Sequence, residues 1–323
     1  MRIALLGGVP ASLGGGGLEI QMRRTGEALA ARGHEVFAVA QAAEARPFDV
    51  LHAFGADGDV WHALHHWRLN PAPLVVSPVV VVAPGAAERR QVLGARLPIP
   101  AFGPRLRAEV LRRATCAIAL TDHEAGLIER LVKPATVAVE TIPNGVDPLP
   151  SGGSEEGLPS GYVLLLGAVS TRKRQAQTVE ALARAGVPVV VAGGFDGSSQ
   201  ERADFEATVA RAGESALWLG EIRDRARLAG LLRGARALVH LSAAEGQSLA
   251  VLEALSVGTP ALLSPLPANR ELAARFPAHV RLVESPDDLA RSLADAGGPL
   301  GPASLPTWDD VAERLEGVYS ALG

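Results

Sequence analysis

Short runs of Val, Leu, Ile and Ala alternate with amphipathic stretches from one end of the chain to the other. In the first half the apolar runs are "RIALLGG", "EVFAVA", "VLHAF", "LVVSPVVVV", "CAIALT" and "TVAVETIP", and helical patterns such as "LEIQMRRTGEALAARG" and "HEAGLIERLV" lie between most of them. An apolar run without alternation marks a strand buried on both faces, which belongs to a parallel sheet covered by helices on each side. From Pro148 to Gly161 the pattern breaks into "PLPSGGSEEGLPSG", whose Pro, Gly and Ser content predicts an interdomain linker. The alternation then restarts with "YVLLLGA", "VPVVVAGG", "SALWLGEI", "ALVHLS", "TPALLSP" and "HVRLVE". The expected fold class is α/β, with two similar doubly wound units at about 1–150 and 160–304. Ligands bind beyond the carboxyl ends of such strands, so two facing units are expected to form a cleft. The closing "SLPTWDDVAERLEGVYSALG" is a further amphipathic helix, opened by a Thr or Asp cap and early negative charge.

A chain of 323 residues that is 48% hydrophobic and 20% charged suits two globular domains. Its 35 Gly and 23 Pro are dispersed, which excludes collagen and a disordered tract. Net charge is -4 with no basic stripe along the sequence, so nucleic acid is not an expected partner. The single cysteine, Cys116, lies in "CAIAL" and reads as a small buried hydrophobe. The opening "MRIALLGG" is too short an apolar run for a signal peptide and no stretch approaches a membrane span, so the expected location is cytoplasmic.

The stretch "EGQSLAVLEALSVGTPALL" keeps two glutamates, Glu245 and Glu253, in an apolar setting. With "ALVHLS" a strand and "QSLAVLEALSVG" a helix closed by Gly258, Glu245 falls on the loop ahead of the helix and Glu253 about two turns inside. Gly246, Gln247, Ser248 and Leu249 would then stand at the helix start, where free N–H groups and the helix dipole favour a diphosphate. One carboxylate could accept bonds from sugar hydroxyls and the other from a ribose. For either glutamate alone the favoured reading is plain, Glu245 a first-turn capping charge and Glu253 a solvated helix residue; the apolar neighbours Leu252, Ala254 and Leu255 argue against free solvation of Glu253, and the combined pattern tips the balance towards a site.

This stretch is similar to the signature of family 4 of the retaining glycosyltransferases, enzymes with the GT-B fold of two Rossmann-like domains. "IPNGVD" at Ile142–Asp147 resembles the family's segment at the end of the N-terminal domain, and "GAVSTRKRQ" at Gly167–Gln175 resembles its loop carrying a basic phosphate ligand. The closing "TWDDVAERLEGVY" is similar to the helix that crosses back onto the N-terminal domain. The resemblance spans essentially the whole chain. It implies an acceptor-side domain at 1–150 completed by a helix at about 305–323, and a donor-binding domain at 160–304. It implies that Glu245 contacts donor-sugar hydroxyls, that Glu253 binds the nucleotide ribose, and that Lys173 pairs with the diphosphate beside Arg172. The competing reading of Lys173 and Arg172 is two solvated charges at a helix start, where the dipole opposes them. Asn144, within "IPNGVD", joins the substrate-binding candidates.

"GGVPASLGGGGLEIQ" follows the first strand and opens the first helix. Gly15, Gly16 and Gly17 allow close backbone approach to a ligand; loop flexibility is the other reading. Neither G-x-G-x-x-G nor G-x-x-x-x-G-K-[S/T] is present, which argues against a nicotinamide dinucleotide site and a P-loop. "DGD" at Asp57–Asp59 reads as a helix cap, and His62, His65 and His66 lack a carboxylate at metal-ligand spacing. Two departures stand out: Ser77 and Pro78 occupy the place after the fourth strand where many relatives have a histidine, and Ala168 stands where an arginine often follows Gly167.

The expected function is retaining transfer of a hexosyl unit from a nucleotide-diphosphate sugar donor to a hydroxyl acceptor on a glycan, lipid or small molecule. Lys173, Arg172 and Glu245 are the catalytic candidates, with no cofactor and no metal; peripheral membrane contact stays open. Two alternatives remain: a nucleotide-sugar-binding protein that has lost its chemistry, and a nucleotide-sugar epimerase of the same architecture.

Overall fold

The expected apolar runs become twelve strands in two six-stranded sheets. The computed structural model describes residues 1–7, 16–39, 47–64, 72–99, 102–151, 155, 157–295 and 300–322. Two compact units emerge: Met1–Gly145 with Pro306–Gly323, and Val146–Leu305.

The first unit contains β1 (Arg2–Gly7), β2 (Glu35–Val39), β3 (Val50–Phe54), β4 (Leu74–Ser77), β5 (Cys116–Ala119) and β6 (Ala138–Thr141), in spatial order β2-β1-β3-β4-β5-β6. Every pairing is parallel, with Ile3 opposite Val50 and Leu51 opposite Leu74. The central strands are buried throughout, because helices cover both faces of the sheet. Around them run α1 (Gly17–Ala31), α2 (Gly58–Ala63), α3 (Ala86–Gly94), α4 (Gly103–Arg113) and α5 (Asp122–Val132). The Asp57 carboxylate caps α2 by accepting from the Val60 N–H at 3.3 Å.

Strand β4 stops at Ser77, short of the continuous run "LVVSPVVVV". Pro78 offers no N–H to a ladder, and Val79 takes a left-handed φ of 47°, costly for a β-branched residue. The buried Glu124 carboxylate secures this turn: one oxygen accepts from the Val80 N–H at 2.6 Å and the other from the Leu120 N–H at 2.8 Å. Burial pushes its pKa up, against the pull of those two bonds.

The last helix, α12 (Trp308–Leu322 in the numbering that follows), closes this first unit. Thr307 opens it, donating to Asp310 at 2.7 Å through its hydroxyl and accepting from the Asp310 N–H at 3.2 Å. Trp308, Val311, Ala312, Leu315 and Tyr319 are buried. The Tyr319 hydroxyl lies 2.6 Å from Nδ1 of His52 on β3, and the other ring nitrogen lies 2.9 Å from Ser77 Oγ. Burial drives the His52 pKa down to about 3, so the ring is neutral and bridges two hydroxyls in the core. At the edge of the same packing, a Cβ on Gly145 would sit 2.5 Å from the Trp308 nitrogen, so only glycine lets the chain pass under this helix.

The second unit holds β7 (Val163–Leu166), β8 (Val189–Ala192), β9 (Ala216–Trp218), β10 (Ala237–His240), β11 (Ala261–Leu263) and β12 (Val280–Leu282), ordered β12-β11-β10-β7-β8-β9. All pairings are again parallel. Its helices are α6 (Gln175–Arg184), α7 (Ser199–Ala212), α8 (Arg225–Gly234), α9 (Leu249–Ser256), α10 (Pro267–Arg275) and α11 (Leu289–Ala294). The segment read as a linker is tied to this unit. Arg233 donates to the Pro150 carbonyl at 2.6 Å, and Arg227 pairs with Glu155 at 2.6 Å. The order of strand connection reverses between β7 and β10, the topological switch point where open α/β sheets bind ligands.

Candidate functional site

The loops leaving β7 and β10 are neighbours because their strands pair, with Leu164 opposite Leu238. After β7 the chain turns at Gly167, whose φ is +116°, a conformation that L side chains avoid. A Cβ there would come within 2.6 Å of Lys173 Nζ. The missing side chain thus leaves the ammonium its place. Gly193, just after β8, packs under the same turn, where a Cβ would lie 2.1 Å from the Gly167 carbonyl oxygen.

Arg172 and Lys173 sit in a short 3-10 turn, Thr171–Lys173, and not in the first turn of a helix. Arg174 then adopts a left-handed φ of 55° and α6 begins at Gln175. The buried Gln175 side chain fixes the loop, accepting from the Ser170 N–H at 3.1 Å and donating to the Ala168 carbonyl at 2.9 Å. Burial lowers the Lys173 pKa, opposed by the charge of Glu245 and reinforced by that of Arg172.

Two contacts stitch this loop to the one after β10. The Ala243 N–H donates to the Arg172 carbonyl at 2.8 Å, and Arg172 Nη1 donates to the Ala244 carbonyl at 2.7 Å. The same Nη1 reaches Glu245 Oε1 at 2.7 Å. That oxygen also accepts from Ser242 Oγ at 2.9 Å and lies 3.1 Å from Nε2 of the buried His240. Burial disfavours the Glu245 charge, but the His240 bond and the charges of His240, Arg172 and Lys173 outweigh it and hold the pKa at about 2. All these bonds converge on Oε1, which leaves Oε2 without a protein partner among the described residues.

Helix α9 begins at Leu249, with Ser248 as its cap residue and no side-chain bond closing the cap. Val251 and Leu252 both donate to the Ser248 carbonyl, at 3.1 and 3.2 Å, so the N–H groups of Leu249 and Ala250 have no acceptor inside the helix. The later start places Glu253 at the fifth helical residue, little more than one turn inside and not two. Gly246, Gln247, Ser248 and Leu249 are all partly exposed. Glu253 pairs with Arg225 Nη1 at 2.5 Å. Burial raises its pKa, the Arg225 bond lowers it, and Asp147 adds to the rise.

The second unit therefore gathers Arg172, Lys173, Glu245, Glu253 and the start of α9. Together they offer cations and free N–H groups to an anion, and carboxylate oxygens to hydroxyls. The remaining candidates lie in the first unit. Asn144 is buried at 4% exposure. Gly16 caps α1 with φ -73°, and Gly17 is its first residue, so neither uses a backbone conformation reserved for glycine. Gly15, His65 and His66 fall outside the described residues.

Arg225, His240, Ser242 and Gln175 complete the site and are absent from the sequence expectations. His240 had a visible signal, a polar residue ending the apolar strand "ALVHLS". Arg225 had none, because its partner lies 28 positions away.

Residues 154–296 match the family model of the glycosyl transferases group 1, a span that includes every member of the second unit's constellation. None of the curated proteins matches the chain. Among solved structures, sucrose-phosphate synthase from Thermosynechococcus elongatus superposes with a TM-score of 0.78 at 20% identity, covering 99% of this chain and 98% of that one. Anabaena HepE, solved with UDP and glucose, gives 0.70 at 15% identity over 100% of both chains. AviGT4, a glycosyltransferase involved in avilamycin A biosynthesis, gives 0.64 at 18% identity over 99% of this chain and 97% of that one. Likenesses of this breadth, joined to the two parallel six-stranded sheets, identify the fold of this chain as GT-B.

Proposed function

We propose that the chain transfers a hexosyl unit from a nucleotide-diphosphate sugar to a hydroxyl acceptor with retention of anomeric configuration. The observation that carries this reading is the joining of Arg172, Lys173 and Glu245 across two loops at the switch point, directly ahead of α9. The family match over 154–296 supports glycosyl transfer, and the UDP and UDP-glucose complexes of HepE support a nucleotide-sugar donor.

In this reading the donor diphosphate lies between Lys173 and the N–H groups of Leu249 and Ala250. Negative charge grows on the leaving phosphate as the bond from the anomeric carbon to its oxygen breaks. A desolvated ammonium stabilises that growing charge more than the ground state. Glu245, kept ionised, accepts from a sugar hydroxyl through Oε2, and Glu253 accepts from the ribose. In this reading no carboxylate among the described residues acts as nucleophile. The acceptor oxygen attacks from the face the phosphate leaves, and the departing phosphate oxygen takes the acceptor proton.

The test is incubation with a panel of nucleotide sugars, with and without acceptors, following release of nucleoside diphosphate and the anomeric configuration of the product by NMR. Acceptor-dependent release with retention is expected. An inverted product would overturn the mechanism, and donor binding without any release would favour a second reading, a binding protein that has lost its chemistry. One observation speaks for that second reading: Ser77, at the place of the relatives' histidine, is 2% exposed and engaged with His52.

A further inference from the structure

Four large apolar side chains stand exposed between positions 81 and 99 of the first unit: Val81 (37%), Leu93 (62%), Leu97 (44%) and Ile99 (48%). Arg89 and Arg90 lie one turn before Leu93 on α3. The Arg96 N–H bonds the Leu93 carbonyl and the Leu97 N–H that of Gly94, so the helical path continues and sets Leu97 one turn beyond Leu93. Arg89, Arg90 and Arg96 are exposed, and their side chains meet no hydrogen-bonding or ionic partner among the described residues. Beside them an open groove of about 700 Å³ is lined by Arg96, Leu97, Arg105, Arg112 and Lys133. Its one carboxylate, Glu109, is already taken by Arg105 at 2.9 Å and the Trp61 indole N–H at 2.8 Å. Among the described residues Arg112 donates to the neutral carbonyls of Val132 and Leu131 and meets no carboxylate.

From Ala86 to Arg113 the chain carries seven arginines and two glutamates, a net +5, while the whole chain is -4. This basic concentration lies along one stretch of sequence, against the expectation of no basic stripe; in the fold α3 packs against α4, and Lys133 from beyond α5 joins them at the groove. We propose that this face docks on an anionic lipid surface. Leu93, Leu97 and Ile99 enter the boundary between headgroups and acyl chains, and the arginines and Lys133 meet lipid phosphates. A second copy would set the exposed Arg89, Arg90, Arg96, Arg112 and Lys133 against the same cations, and a nucleic acid offers nothing to the exposed leucines. No helix among the described residues is long and apolar enough to cross a membrane, and the contact proposed is docking at the surface. The proposal does not depend on the transfer reaction, since binding is measured without a donor.

The test is sedimentation of the full chain with vesicles of phosphatidylcholine alone and of phosphatidylcholine mixed with phosphatidylglycerol, across a salt series. Binding is expected only to the anionic vesicles, weakening as salt rises. Arg89→Gln, Arg90→Gln and Arg96→Gln should each lower the partition about fivefold. Leu93→Ser with Leu97→Ser should weaken binding while leaving its salt dependence intact. All these positions are exposed, and thermal melts of the variants confirm the fold. Equal binding to both vesicle types, no binding at low salt, or unaltered binding of the arginine variants overturns the proposal. So does a dimer in light scattering that Leu93→Ser dissolves, because the face then belongs to a second copy.

Discussion

Lys173 and the two glutamates differ in what surrounds their charge, and the difference assigns each a separate behaviour. The Lys173 pKa is lowered from 10.5 chiefly by burial. A bound diphosphate prefers the protonated form, so nucleoside diphosphate affinity should fall as pH rises through a value below that of a surface lysine. Calorimetry across the alkaline range checks this, and Lys173→Arg should move the fall to higher pH. Lys173→Ala should reduce kcat about 10²–10³-fold while weakening donor binding less, as expected for a group whose interaction grows in the transition state. Glu245, with a pKa of about 2, stays ionised through any ordinary assay, whereas Glu253 is raised from 4.5 by burial. Loss of nucleotide binding in acid should therefore follow Glu253, beginning above pH 4.5 as its carboxylate gains a proton, and Glu253→Gln should remove that limb. Glu253→Ala should weaken nucleoside diphosphate binding by about 1.5–3 kcal/mol. Glu245→Ala should leave that binding intact and impair turnover. Equal losses in both variants by calorimetry would undo the division of roles.

Individual elements show how much of this was legible beforehand. The central strands could be read because they are largely apolar on both faces, as in Val189–Ala192, where all four residues are buried, whereas edge strands such as Ala138–Thr141 carry polar, exposed positions. Their ends were less clear: "LVVSPVVVV" reads as one run, and only Pro78, Val79 and the distant Glu124 cut it at Ser77. In the candidate site, Lys173, Glu245 and Glu253 stood out through local context. Arg225 did not, because its partner Glu253 lies 28 positions away, and Gln175 did not, because its bonds to Ala168 and Ser170 hold an irregular turn that no periodic pattern marks. Glycine was read for its freedom at Gly15, Gly16 and Gly17, yet beside the site it is Gly167 and Gly193 that require it, as Gly145 does under α12. Gly193→Ala would drive a methyl to 2.1 Å from a backbone oxygen. The expected result is a shift of the Gly167 turn, seen as lost donor binding and a lower Tm. The His52 bridge gives a second test at this scale. Tyr319→Phe leaves a ring nitrogen without its partner in the core, which should cost about 1–3 kcal/mol of stability by thermal or denaturant unfolding.

At the scale of the molecule, the chain leaves the first unit at Gly145, builds the second without interruption, and returns at Pro306. The second unit is thus continuous, while the first lacks its closing helix until the end. Residues 146–305 alone should fold and bind nucleoside diphosphate, and a chain cut after Leu305 should lose the thermal transition of the first unit while keeping that of the second. Loss of both transitions on the same cut would show that the units do not fold separately. Arg32 with Asp309 and Glu316, at 3.1 and 2.9 Å, contributes little at the surface of this closure; the buried Trp308, Leu315 and Tyr319 matter more.

The return of α12 also sets an order of events during synthesis. The first unit emerges from the ribosome early, but its sheet lacks the helix that supplies Tyr319 to His52 until the remaining residues are made, roughly 10–35 s later at ordinary elongation rates. The second unit can finish within that interval. The part of the protein translated first is therefore completed last, and through the wait His52 on its sheet lacks Tyr319 and stands open to chaperones and to neighbouring nascent chains.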